Sequence, residues 1–201
     1  MSNDLQQQIQ PHMSEITHAK GLVFDLRNNS GGNSAPGSWF ASHLYDKPTS
    51  VLQFRLYSGN NQFGAWEKDL LAPIQPRIVA PTAVLINGEN ASSAEMFIAH
   101  LEAAPNVRTF GTRSMGADGH PQLYPVISGV QVQISSWQER VLKTGQPIEQ
   151  VGIAPQQPVE ENMPDFCKYL ALPEQGRDLS SEDDVLQAGI QWILSEERKN
   201  P

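Results

Sequence analysis

The fold is decided by residues 82–104, which read TAVLINGENASSAEMFIAHLEAA. The apolar run Thr82–Ile86 predicts a buried strand, and Asn87-Gly88 is a strong turn signal that ends it. The residues after the turn are apolar at the i, i+3, i+4, i+7 spacing of one helical face: Ala94, Phe97, Ile98 and Leu101. The stretch therefore predicts a strand, a turn and a helix over 91–104, the unit from which α/β proteins are built.

Weaker signals on both sides of this unit extend the pattern. The predicted elements are a helix over 3–19 despite Pro11, a short buried strand over 22–26, a turn over 28–33, a helix over 36–44, a strand over 50–57, a polar surface excursion over 58–76, a strand over 107–111 and a half-solvated strand over 130–134. A final helix is expected to open at Ser180 or Ser181. Strand–helix alternation followed by β pairing indicates the α/β class.

Composition excludes several classes of protein. The 201 residues suit one domain, predicted to span 1–201, and 14 Lys+Arg against 22 Asp+Glu give a net charge of −8. That sign argues against a nucleic-acid surface, and no apolar run is long enough to predict a membrane span. A single cysteine, Cys167, excludes an internal disulfide and a Cys-based zinc cluster, and we expect it to be an idle or buried thiol. The first eight residues lack the pattern of a signal peptide.

Three stretches that carry polar and glycine residues lie at predicted strand ends or in loops: 25–32, 87–95 and 149–155. Ser92 lies between the predicted strand and helix, where free amides and the helix dipole favour an oxyanion, and Ser93 N–H is a natural donor to it. Gly31 and Gly32 let the backbone approach a substrate carbonyl and offer a second N–H. Taken alone, Ser92 is more simply a helix cap, and the glycines a tight turn.

These stretches, in their order, resemble the catalytic domain of the C-terminal processing, or tail-specific, serine peptidases of the S41 class, including its tricorn-core and retinoid-binding-protein-like branch. The matching motifs are Asp-Leu-Arg-Asn-x-x-Gly-Gly at 25–32, the nucleophile turn at 91–95, an echo of a Val-Val-Gly-x-x-(Thr/Ser)-x-Gly strand and loop at 109–116 and an echo of a Glu-(x)-Gly-Ile-x-Pro segment at 149–155. The resemblance implies a ClpP/crotonase-like layered β-sheet with flanking helices. It also implies that Ser92 is the nucleophile, that Glu149 supports catalysis, and that Ser93 and Gly31 or Gly32 form the oxyanion hole.

The general base is where the chain departs from the family pattern. Tail-specific relatives carry a lysine 25 residues after the nucleophile, and that count reaches Ala117, which cannot accept a proton. In the tricorn-like branch the base is a histidine on a strand before the first helix, a position that this chain does not include. His120 is the best internal substitute, and Lys143 is a weaker one. His100, eight residues from Ser92 along one helix, is too far away for a hydrogen bond.

Two functions stay open at this stage. The chain is either the C-terminal part of an S41-type catalytic domain that lacks its N-terminal portion and its base, or an inactive peptidase-like domain that binds a peptide or small ligand. A crotonase-like acyl-CoA enzyme or a plain scaffold would need Ser92 only as a cap. We expect no metal and no cofactor, a peptide or protein substrate, and no nucleic-acid partner, with a homo-oligomer left open. Family resemblance alone favours an extracytoplasmic location.

Overall fold

A computed structural model describes residues 4–160 and 183–199 of the chain. The first predicted helix is present but broken at Pro11: α1 (Leu5–Ile9) leads through a 3₁₀ turn, Gln10–His12, into α2 (Met13–His18). The break follows from chemistry, because proline has no N–H for the helical ladder and is tolerated only where a helix begins. The other helices are α3 (Ala35–Ser42), α4 (Ser93–Glu102) and α5 (Asp184–Lys199).

The central sheet contains four parallel strands in the order β1 (Leu22–Asp25), β5 (Thr82–Ile86), β6 (Val107–Gly111) and β10 (Gln157–Pro158). Between β1 and β5 the chain forms β2 (Leu52–Gly59), β3 (Gln62–Phe63) and β4 (Glu67–Lys68), and β2 also pairs with β9 (Trp137–Val141). Strands β7 (Gln122–Ile127) and β8 (Val130–Ile134) form a separate two-stranded ribbon. The predicted α/β class is thus confirmed.

Strand β5 lies at the centre because its two faces serve two helical layers. Val84 and Ile86 belong to the large apolar core that also holds Phe97 of α4, whereas Ala83 and Leu85 pack with Val185 of α5. All five residues of the strand are buried, as the unbroken apolar run predicts. This packing fixes the carboxyl end of β5, from which the segment bearing Ser92 departs.

Three expectations about exposure and extent need correction. Strand β1 was expected to be buried but alternates, with Val23 39% exposed, because it is the edge strand and only one of its faces meets the core. Strand β8 was expected to be half-solvated, yet every residue in it is exposed, since the ribbon packs against no other described element. The excursion over 58–76 includes β3 and β4, which pair with β2.

The last helix is attached to the segment that follows β1. Arg27 donates two hydrogen bonds to the Asp183 carboxylate, at 3.1 and 2.7 Å, and a third at 2.7 Å to Asp25 Oδ2. Asp183 in turn accepts the N–H of Leu186 at 2.9 Å, which caps α5. Helix α5 therefore begins at Asp184, and the predicted openers Ser180 and Ser181, like Cys167, lie outside the described residues.

Candidate active site

Three loops that follow parallel strands meet at one edge of the central sheet. Strands β1, β5 and β6 run in parallel register, and end at Asp25, Ile86 and Gly111. The loop after β1 carries the double glycine, the loop after β5 carries Ser92, and the loop after β6 leads to Ala117 and His120. Ligand sites of open α/β sheets occur at this edge.

Ser92 has a backbone conformation that few L-residues adopt, with φ 56° and ψ −133°. It is the N-cap residue of α4 and is partly exposed. Its N–H donates to Ala117 O at 2.8 Å and to Glu95 Oε2 at 3.2 Å, so the surrounding loop holds the strained residue in place. Strain of this kind persists only where the structure over-determines it, and it concentrates at functional sites.

The double glycine lies directly against Ser92. A Cβ built on Gly31 would be 2.9 Å from Ser92 Cβ, 2.7 Å from Ala91 O and 3.1 Å from Ser93 N, and Gly31 has φ +100°. No larger residue fits there without moving the serine turn, so glycine is required both by space and by conformation. The structure thus places the double-glycine segment against the Ser92 turn, although the two are far apart in sequence.

Some backbone N–H groups around Ser92 already donate hydrogen bonds within the protein, and others do not. Gly31 N–H donates to the side chain of Asn29 at 3.0 Å, so it is already used. Within residues 4–160 and 183–199, neither Gly32 N–H nor Ser93 N–H donates to another protein group. Among the described residues, these two amides are therefore free N–H donors in the segments around Ser92.

A buried asparagine joins the two loops. Asn90, which is fully buried, donates through Nδ2 to Leu26 O and to Asn29 O at 3.3 Å, and its Oδ1 accepts Asn87 N–H at 2.8 Å. Ala91 N–H adds a bond to Asn29 O at 3.3 Å. The double-glycine loop and the serine loop are therefore one hydrogen-bonded unit, and their spacing does not depend on side-chain packing alone.

Glu95 performs the same task between the serine turn and the loop after β6. Besides Ser92 N–H, its carboxylate accepts Ser114 Oγ at 2.6 Å, Gly116 N–H at 2.8 Å and Ala117 N–H at 2.9 Å, and the residue has no exposed surface. Hydrogen bonds to an ionised acceptor are roughly twice as strong as neutral ones. Glu95 thus ties the serine turn to the loop after β6 through hydrogen bonds to both.

Comparison with known proteins identifies the family. The sequence model described as peptidase family S41 matches residues 1–159. The chain belongs to peptidase family S41. Bacillus subtilis carboxy-terminal processing protease CtpA is 30% identical over 153 residues, which cover 75% of this chain and 30% of CtpA. The nisin-resistance protein of Lactococcus lactis is 27% identical over 130 residues, which cover 58% of this chain and 39% of that protein.

Solved structures agree with this assignment. A peptidase candidate from Parabacteroides merdae is 25% identical and superposes with a TM-score of 0.76, covering 94% of this chain and 56% of that one. Mature CPAF is 16% identical, with a TM-score of 0.70 over 85% of this chain and 46% of that one, and shows likeness of fold. The predicted S41-type fold is confirmed, and family membership supports a protease-type function. The chain spans less than two thirds of each of these four proteins.

Glu149 lies beside the loop after β6 in this S41 domain. Its Oε2 accepts Asp118 N–H at 2.6 Å, and Asp118 directly follows Ala117, whose carbonyl accepts Ser92 N–H. The residue is partly exposed. The structure thus brings Glu149 to the edge of the Ser92 site through one intervening loop segment.

Two carboxyl groups beside Glu149 are buried, each 1% exposed: Asp118 of that loop and Glu139 of β9. Burial raises the pKa of Asp118 to about 6, with the charges of Glu95 and Glu149 adding to the effect. Burial also raises the pKa of Glu139 to about 11, and the neighbouring carboxyl of Asp118 adds to it. Glu139 is therefore protonated at neutral pH, which is how so many acidic groups coexist beside one loop.

The histidines are placed away from Ser92 or on the rim of its loop. His120 is exposed with φ 42°, and its ring packs against Trp137 with the centroids 5.1 Å apart. His100 is buried and paired with Asp69, and His43 is buried with Nδ1 2.8 Å from Pro76 O. Lys143 is exposed near the end of β9. Among the described residues, no hydrogen bond joins any of these side chains to Ser92.

Sequence reasoning missed the residues that hold the site together. Glu95 is the last residue of the nucleophile motif at 91–95. Its place three residues after a Ser at a helix start is the signature of a capping box, and this signal could have predicted its structural role. Asn90 and the Asp118–Glu139 pair gave no such signal, because their roles depend on contacts between segments distant in sequence. In the described residues, no helix is long and apolar enough to cross a membrane.

Proposed function

We propose that this domain hydrolyses peptide bonds through an acyl-enzyme on Ser92. The observation that carries the proposal is the nesting of the double glycine against the serine turn, with the Cβ position of Gly31 only 2.9 Å from Ser92 Cβ. A helix N-cap needs no such neighbour. A nucleophile does, since the oxyanion formed during acyl transfer requires donors fixed in advance.

In the proposed reaction, Ser92 Oγ attacks the scissile carbonyl carbon and passes its proton to a base. Ser93 N–H and Gly32 N–H receive the negative charge that develops on the carbonyl oxygen. Collapse of the tetrahedral intermediate breaks the C–N bond, and the base returns the proton to the departing amine. Water then hydrolyses the ester on Ser92 by the same steps. An oxyanion donor is worth about 2.7–4 kcal/mol in the transition state.

The base is proposed to lie upstream of this chain in a longer peptidase. Ala117 stands where tail-specific relatives carry lysine, and the ring of His120 packs on Trp137. Glu149 would orient an incoming imidazole, as the third member of a triad does, while its Oε2 stays bonded to Asp118 N–H. His120 is the internal alternative. The same alanine supports the second candidate function, an inactive domain that binds a peptide.

Labelling with a fluorophosphonate tests the nucleophile. We expect the probe to modify the chain at Ser92, with the adduct located by mass spectrometry, and Ser92→Ala to abolish the reaction. Ser58→Ala is the matched control, because Ser58 is an exposed serine on β2 that lies outside the site. Equal labelling of Ser92→Ala and Ser58→Ala would refute the assignment.

A second comparison locates the base. His120→Ala should leave the labelling rate of this chain unchanged if the base lies upstream, and lower it about 10²–10⁴-fold if His120 is the base. A longer chain that extends upstream of Met1 should label faster and cleave peptides. Failure of both chains to label would favour the binding function. We further propose an extracytoplasmic location, and a peptide or protein as the substrate.

A further inference from the structure

The ribbon formed by β7 and β8 exposes more apolar surface than any other part of the described structure. Seven of its apolar residues are between 42% and 68% exposed: Leu123, Tyr124, Val126, Ile127, Val130, Val132 and Ile134. Each strand has only the other as its partner, and no helix or further strand covers either face within the described residues. An isolated two-stranded ribbon is marginally stable in water, so a covering partner is expected.

The apolar residues are concentrated on one face. Tyr124 is directly opposite Val132, and residues two apart on β8 share a face, so Val130 and Ile134 lie on the same side. The register shifts at Val126, after which Ile127 is opposite Val130 and joins this face. The other face presents Leu123 opposite Gln133, and Pro125 opposite Gln131. The apolar face is defined as the face with Tyr124, Ile127, Val130, Val132 and Ile134.

We propose that the apolar face packs against the same face of a second copy of this chain, forming a two-fold symmetric dimer. The proposal is independent of the role given to Ser92. The exposed fractions of the apolar face correspond to about 450 Å² of apolar surface. A standard interface buries about 800 Å² per partner, of which roughly 56–65% is apolar, so the face supplies the apolar core that such a dimer needs.

Charge favours a second copy as the occupant. The chain carries a net charge of −8, so two copies repel wherever their surfaces are acidic. Residues 121–136 contain no Asp, Glu, Lys or Arg, which makes the ribbon a long uncharged stretch in an acidic protein. A two-fold interface brings the same surface patch of both subunits together, so the patch must be complementary to itself. An uncharged apolar face meets this requirement, because it places no like charges opposite each other.

Sedimentation equilibrium of the 201-residue chain from 1 to 200 µM at 0.15 M salt tests this proposal. We expect the mass to rise from monomer to dimer across that range. Val132→Lys places a charge at the centre of the apolar face and should weaken dimerisation at least 100-fold. Leu123→Lys is the matched control, since it adds the same charge at a similarly exposed site on the opposite face and should leave the dimer intact.

Three results would overturn the proposal. A monomer at 200 µM would show that the apolar face is covered by another protein or by a further segment of a longer chain, and not by a second copy. Equal loss of the dimer in both variants would show that the face is wrong, and retention of the dimer in both would place the interface elsewhere. Near-ultraviolet circular dichroism confirms that the variants fold, since the ribbon contributes no residue to the buried cores.

Discussion

Replacing Gly31 with alanine tests the close approach that defines the site. The new methyl group would lie 2.7 Å from Ala91 O and must move to an ordinary contact of at least 3.4 Å, a displacement of about 0.7 Å. Misplacing a reacting group by about 1 Å can cost 10²-fold in rate. We therefore expect Gly31→Ala to slow fluorophosphonate labelling of Ser92 by about 10–100-fold.

Gly59→Ala separates the steric effect from the backbone effect. Gly59 has φ +91°, close to the +100° of Gly31, but a Cβ there meets nothing within 4 Å. The backbone effect alone should cost each variant about 1–2 kcal/mol of unfolding free energy, because alanine is strained at positive φ. Only Gly31→Ala should lose more than this in urea unfolding, and only it should label slowly. Equal stability and equal labelling of the two variants would refute the proposed nesting of Gly31 against Ser92.

Three further substitutions test the interior. Glu95→Ala removes the acceptor of four buried or partly buried donors and should cost at least about 3 kcal/mol in urea unfolding. Glu102→Ala, on the same helix, loses a single side-chain bond, from Thr109 of β6, and should cost about 1 kcal/mol. Because the pKa of Glu139 is raised to about 11 in the folded chain, the contribution of this carboxyl to stability is greatest below its ordinary pKa of 4.5 and falls as pH rises toward 11. Glu139→Gln should remove this contribution and so flatten the pH dependence of the unfolding free energy between pH 6 and 9, and an unchanged slope would contradict the prediction. Leu85→Ala opens a cavity beneath α5 and should cost about 2–5 kcal/mol by the same assay.

Much of the fold could be predicted because its central elements are local. The run Thr82–Ile86 is apolar on both faces and is buried on both, and the helical spacing after it marks α4 to within two residues at each end. Strand β1 shows the limit of this reasoning. Its residues are as apolar as those of β5, but its place at the edge of the sheet is set by strand order, which periodicity does not encode.

The candidate site, like the fold, could be predicted only in part from the sequence. Ser92 and the double glycine were found because motif order points to them, and the structure places them in contact. Their roles in catalysis, like those of Glu149, Ser93 and His120, stay predictions. The choice of Gly32 over Gly31 as a donor needed the structure, since the hydrogen bond from Gly31 N–H to Asn29 is invisible in the sequence.

The contact between Arg27 and Asp183 has a mechanical consequence. Arg27 is 11% exposed and lies four residues before Gly31, so the final helix is tied to the same short segment that shapes the proposed oxyanion hole. A displacement of α5 along its axis would reach Gly31 through two hydrogen bonds with Arg27 and four residues of backbone. A tag or fusion partner that shifts α5 would therefore also shift the double-glycine loop.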